Sequence, residues 1–215
     1  MAKLKIEFSA VDAWAAACAA QRVNGSYVKV ADKNMYGVVP TEAKPNRELM
    51  FGFLTTNPEG ILQEDREQGE VVRRYYQGLE FKALKNRLSD FEHQAMKIAS
   101  EEVITSFLHI AVMASLPSGH ARAVARDDAN RRINWATGGL IGTVGDKVTL
   151  NLEVVKSIYS VNYNVHFITG VTEKSEVVFF SYREKMEQGN KVTVRGTIKA
   201  HRDNSTTQLT RTKVL

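Results

Sequence analysis

Basic side chains with aromatics set between them are what this chain offers for chemistry. Tyr159 and Tyr163 flank a turn, Phe167 follows, and Phe179, Phe180 and Tyr182 stand just before Arg183. Six cations come from Lys191 onward (Lys191, Arg195, Lys199, Arg202, Arg211, Lys213), against one acid, Asp203. Rings stack on the flat faces of bases and cations meet phosphates, so this interleaving suits a polyanion that carries planar rings. Other chemistries lack their residues. No HExxH, CxxC or Gly-x-Ser-x-Gly occurs. The five histidines, at 93, 109, 120, 166 and 201, form no pair at metal-ligand spacing. Glu101-Glu102 and Asp127-Asp128 are sequence neighbours on expected helices, so each pair points in two directions and makes no ready dyad. Gly138, Gly139, Gly142 and Gly145 precede a strand, whereas phosphate-binding glycines lie between a strand and a helix. They read as turn and close-packing residues. The expectation is a protein without catalytic residues, metal or cofactor.

Five short strands must position these side chains. They are expected at 147–158, about 163–169, about 176–182, 191–200 and about 207–214, a rhythm that favours a sandwich or small closed barrel. In the first, Val148, Leu150, Leu152 and Val154 alternate with Thr149, Asn151 and Glu153. In the fourth, Val192, Val194 and Ile198 point one way and Lys191, Thr193, Arg195, Thr197 and Lys199 the other. The third can face either way. Phe179 is assigned inward because Val177 accompanies it, which leaves Phe180 and Tyr182 outside beside Arg183, although Val178 and Phe180 are equally apolar.

The rest of the chain reads as mostly helical. Ser9 caps a helix over 10–23 that Asn24-Gly25 stops. A short strand is expected at 26–31 and a loop at 32–46. Pro45 opens a short helix, 55–60 turns, 61–76 is a charged helix with Gly69 as its weak point, and 81–87 is a short helix. Ser89 and Glu92 form a capping box for a helix running to about Ser115, with Leu116-Pro117 as its stop. Residues 118–134 are an Arg-rich helix or linker that either joins the halves or lays arginines beside a groove. The fold class is therefore α+β: a helical domain over 1–117, a linker over 118–138 and a β domain over 139–215.

The formal net charge of +5 is unevenly placed. Up to Ser115 there are 14 Lys+Arg and 15 Asp+Glu, a net of −1; from Leu116 there are 15 and 9, a net of +6. A basic β domain implies a polyanionic partner or a merely solvated face. Cys18, the single cysteine, reads as a small buried apolar residue and excludes a disulfide framework, which fits a reducing compartment. No run approaches a membrane span, and the first residues mix acids into the apolar stretch, unlike a signal peptide. The expected location is the cytoplasm, with no membrane partner.

The segments Gly-x-Val-Gly-Asp-Lys-Val-Thr-Leu (142–150), Val-Val-Phe-Phe (177–180), Gly-Asn-Lys-Val-Thr-Val-Arg-Gly-Thr-Ile-Lys (189–199) and Thr-Gln-Leu-Thr-Arg (207–211) resemble the OB-fold of single-stranded nucleic-acid-binding proteins, of the replication-protein-A type and its small phage relatives. The resemblance covers about 139–215. It implies a ligand lying across the second and third strands, between the 159–163 and 201–206 loops. Carried onto this sequence, Tyr159, Tyr163, Phe180 and Tyr182 are the candidate stackers. Lys156, Arg183, Arg195, Lys199, Arg202 and Arg211 are the candidate phosphate contacts. The implied function is non-enzymatic binding of single-stranded DNA in phage replication or recombination, in the host cytoplasm. The alternatives are an RNA ligand on the same barrel, or a protein-interaction and oligomerisation module. The helical half carries no such resemblance and is a candidate for homo-oligomer contacts, protein docking or a second nucleic-acid surface.

Overall fold

The computed structural model describes residues 6–29, 44–84 and 88–215. The chain is of the α+β class and divides into two compact units, Met1–Ala123 and Val124–Leu215.

The first unit is built around α1, Ala10–Asn24. Ser9 caps it by accepting a hydrogen bond from the Asp12 amide at 3.1 Å, and Gly25 ends it in the left-handed region, φ 66°. Cys18 and the alanines from Ala13 to Ala20 are buried, so the helix has almost no outward face apart from residues such as Val11. Small side chains let neighbouring backbones close on it. The helix α2, Asn46–Thr55, packs on one side and α3, Gln63–Gln77, on another. Gly69 is no weak point of α3: a Cβ there would lie 2.9 Å from the Ala15 nitrogen and the Trp14 carbonyl carbon. The missing side chain is what lets α3 reach α1.

After α4, Glu80–Ala83, the capping box at Ser89 and Glu92 opens α5, Asp90–Ala99. The helix stops there rather than at Ser115. Arg73 Nε and Gln77 Nε2, both on α3, each donate to the Ala99 carbonyl at 2.9 Å, and Arg73 Nη2 donates to the Glu101 carbonyl at 3.0 Å. Those carbonyls are held by side chains, and the chain turns into β2, Val103–Ile104, which pairs antiparallel with β1, Phe8–Ser9. A new cap at Ser106 starts α6, Phe107–Met113. Phe91, Val103 and Phe107, apolar residues of the stretch expected to be one helix, are about half exposed. Pro117 lies in the first turn of α7, Leu116–Asn134, where its absent N–H is not needed; Leu116-Pro117 begins a helix instead of stopping one. Of the strand expected at 26–31, residues 26–29 are irregular. Residues 30–31, 32–43 of the expected loop and 85–87 of the expected short helix lie outside the described residues.

The second unit holds β3 Lys147–Ser160, β4 Val165–Thr172, β5 Val177–Tyr182, β6 Lys191–Arg202 and β7 Thr206–Val214. They close in the order β3-β4-β5-β7-β6, with β6 returning to β3. Every pair is antiparallel except β5 with β7. The result is a closed five-stranded barrel, consistent with an OB-like one. Leu152, Val154, Ile168, Val178, Phe180, Val194, Ile198 and Leu209 fill it. Met186, from the short connection between β5 and β6, packs into this core, as does Ile141 from the segment before β3. Gly138 lies so close to the Lys174 carbonyl and Ser175 that no side chain fits. Its amide donates to the Ser175 carbonyl at 2.9 Å.

Register breaks mark three places on the barrel. Val155 is the extra residue where β3 runs past β4, Lys199 the extra residue of β6 against β7, and Arg211-Thr212 the two residues of β7 opposite Gly196. Each bulge changes which side chains look outward beyond it.

Candidate nucleic-acid interface

The outer face of β4 and β5 follows from the ladder. Directly paired residues share a face. Ile168 pairs with Phe180 and Gly170 with Val178, and these point into the core. Phe167, paired with Ser181, and Thr169, paired with Phe179, therefore point outward. The face assigned to the third strand is thus reversed. Phe180 is fully buried and stacks on nothing from solvent, while Tyr182 is half-buried against the core beside its partner His166. The reason is energetic: with Val177 and Val178 equally apolar, the pairing partners on β4 decide. Ile168 opposite Phe180 and Gly170 opposite Val178 fill the interior, while the other face would turn Thr169 and Ser181 inward with Phe167 and Phe179.

The bulge at Val155 shifts β3 in the same way. Past it, Lys156 pairs with Thr169 and Ile158 with Phe167, so both join the outer face. Tyr159 pairs with His166 instead, with ring centroids 5.0 Å apart. Its hydroxyl donates to Asn164 Oδ1 at 2.7 Å, which ties the turn to β3. It stays half exposed, on the other side of the strand from Phe167.

What the outer face brings together is a row of rings. Tyr163, 71% exposed in the turn between β3 and β4, has its ring centroid 6.0 Å from Phe167. Phe167 lies 5.7 Å from Phe179 on β5. The Arg202 guanidinium sits 4.3 Å above the Phe179 ring. Gln208, in register with Phe179 across β5 and β7, accepts from Arg202 Nε at 3.2 Å and Nη2 at 3.0 Å, which fixes that guanidinium in place. Such a flat cation over a ring keeps its charge and offers a second stacking plane. The row thus ends at the β6–β7 turn on one side and at the β3–β4 turn on the other.

Of the expected site residues, Lys156, Tyr163 and Arg202 meet on this face. Arg183 lies just past the end of β5 and is exposed, and Lys199 is the exposed bulge residue of β6. Arg195 and Arg211 do not join the row: they line a cleft with Lys147 and Lys213 over β3, β6 and β7. Phe167 and Phe179 are the residues that sequence reasoning left out of the site. The signal that finds them is the pairing of Ile168 with Phe180, which no single strand displays. Among the described residues, no group of three His, Cys, Asp or Glu side chains is placed to hold a metal ion. No helix there is long and apolar enough to cross a membrane. Comparison with protein-family models, curated proteins and solved structures finds no match to the chain.

Proposed function

We propose that the barrel binds single-stranded nucleic acid, with DNA preferred on the strength of the resemblance, and that it does so without catalysis. The observation that carries this reading is the outward-facing row of the exposed Tyr163 and the half-buried Phe167 and Phe179, with Arg202 stacked at its end. Bases lie on Tyr163, on Phe167 and on the Arg202 guanidinium that covers Phe179, and the charges of Lys156 and Arg202 attract the backbone phosphates. Stacking accepts any base, because every base has a π-face, so little sequence preference is expected. Charge contacts release counterions, so binding weakens as salt rises.

Fluorescence titration with oligo-dT at two salt concentrations tests the reading. The expected result is salt-sensitive binding that Phe167→Ala and Phe179→Ala weaken. Absence of binding, or binding indifferent to salt and to both substitutions, overturns it. Competition with a matched RNA oligomer decides the preferred strand.

A further inference from the structure

A second cationic surface lies apart from the aromatic row. In a closed ring ordered β3-β4-β5-β7-β6, the middle of β6 stands across the barrel from the β4–β5 junction. There Lys147, Arg195, Arg211 and Lys213 line a cleft of about 530 Å³ over β3, β6 and β7, and no carboxylate lines it. The acid nearest in sequence, Asp146, is turned away: its Oδ2 accepts from the Thr143 amide at 2.8 Å and from the Thr143 hydroxyl at 2.7 Å. None of the four cationic side chains has a hydrogen-bond or ion-pair partner among the described residues. Four like charges held together without a counter-charge repel one another, an arrangement that an anionic ligand relieves.

Arg211 adds an independent sign. It has φ 53°, in the left-handed region where glycine is favoured, at the β7 bulge opposite Gly196. An arginine held there is strained, and strain of this kind concentrates at working sites. The bulge aims its side chain at the cleft.

We infer that this cleft holds backbone phosphates of the same strand that stacks on the aromatic row, so that the bound strand continues past the row to the far side of the barrel. The inference rests on the proposed function. β6 connects the two places, with Arg202 at one, Arg195 at the other and the unpaired Lys199 bulge between. Arg202 and Arg195 are separated by roughly 23 Å of strand, at about 3.3 Å per residue. A single strand crosses that span along cations, whereas an acidic peptide would have no use for the stacked rings at its end.

The test compares an oligo-dT of about 6 nucleotides, near the short end of the roughly 4–16 that one barrel ordinarily occupies, with one of about 25, beyond it. In the variant K147Q/R195Q/R211G/K213Q, affinity for the short oligomer is expected to stay the same. Affinity for the long one is expected to fall roughly tenfold or more, with its salt slope reduced by about 2–3, close to 0.7 per lost phosphate contact. Arg211→Gly alone guards against a folding artefact. Glycine relieves the left-handed backbone, so the thermal midpoint should not fall while long-oligomer affinity does. Unchanged long-oligomer affinity and slope in the fourfold variant overturn the inference and leave the proposed function standing. Failure of the wild-type chain to bind either length removes the proposed function itself. Cleft-dependent binding of poly-glutamate, with no effect of the variant on oligo-dT, also overturns the inference, in favour of an acidic protein partner.

Discussion

Two adjacent phenylalanines divide the work of the barrel. Phe180 is fully buried among Ile168, Val178 and Leu209, while Phe179 lies outside under Arg202. Phe180→Ala is expected to cost about 3–5 kcal/mol of stability, the usual penalty for emptying a buried ring site, read by chemical denaturation. Phe179→Ala should leave denaturation nearly unchanged and weaken oligo-dT binding by about 1–3 kcal/mol. The reverse pattern would restore the opposite face assignment. His120 carries a different kind of prediction. It is buried, with its ring 4.8 Å from Tyr75, and desolvation lowers its pKa from the ordinary value. Its neutral form is favoured in the fold, so the unfolded chain takes up a proton first. The stability this represents is complete above the unfolded value of about 6.5 and is lost as pH falls below it. Thermal melts between pH 7 and pH 5 should show that decline, and His120→Gln should reduce it. An equal decline in the variant would assign the effect elsewhere.

Elements differ in how openly their sequences declare them. The barrel strands were legible to within about two residues at most ends, because alternation and turn residues are local signals. The 89–115 stretch was not, since Ala99 and Glu101 surrender their carbonyls to Arg73 and Gln77 on another helix. No pattern inside the stretch records that. The bulge at Val155 was equally hidden, and with it the outward row of β3, while the outward face of β5 was set by its pairing with β4, which is why Tyr163 and Arg202 but not Phe167 and Phe179 were among the residues expected on this face. Gly69 gives the sharpest test at this scale. Alanine is the better helix former by about 1 kcal/mol, so propensity alone predicts that Gly69→Ala stabilises α3. The 2.9 Å approach to the backbone of α1 predicts the opposite, because backbone atoms cannot swing aside as a flexible side chain would. A lower denaturation midpoint is expected, and a higher one would mean that α3 is free to retreat.

At the scale of the whole molecule, charge follows architecture. The helical part to Ser115 carries a net of −1, α7 carries +2 and the residues from Gly139 carry +4, so the association of an anionic strand is expected to be governed mainly by the barrel. Raising ionic strength should lower oligo-dT affinity log-linearly, and charge-neutral substitutions in the helical unit should leave that slope unchanged. Closure of the barrel has a consequence in time. β5 finds β7, and β6 finds most of its second neighbour, only once Thr206–Val214 exists. A chain growing from its N-terminus completes local helical contacts early, as such contacts form without long loops to close. The sheet waits for its last segment, and until then it presents open edges on β5 and β6 to any passing strand. During synthesis, the interval between the emergence of residue 202 and that of residue 214 is thus the chain's most aggregation-prone moment.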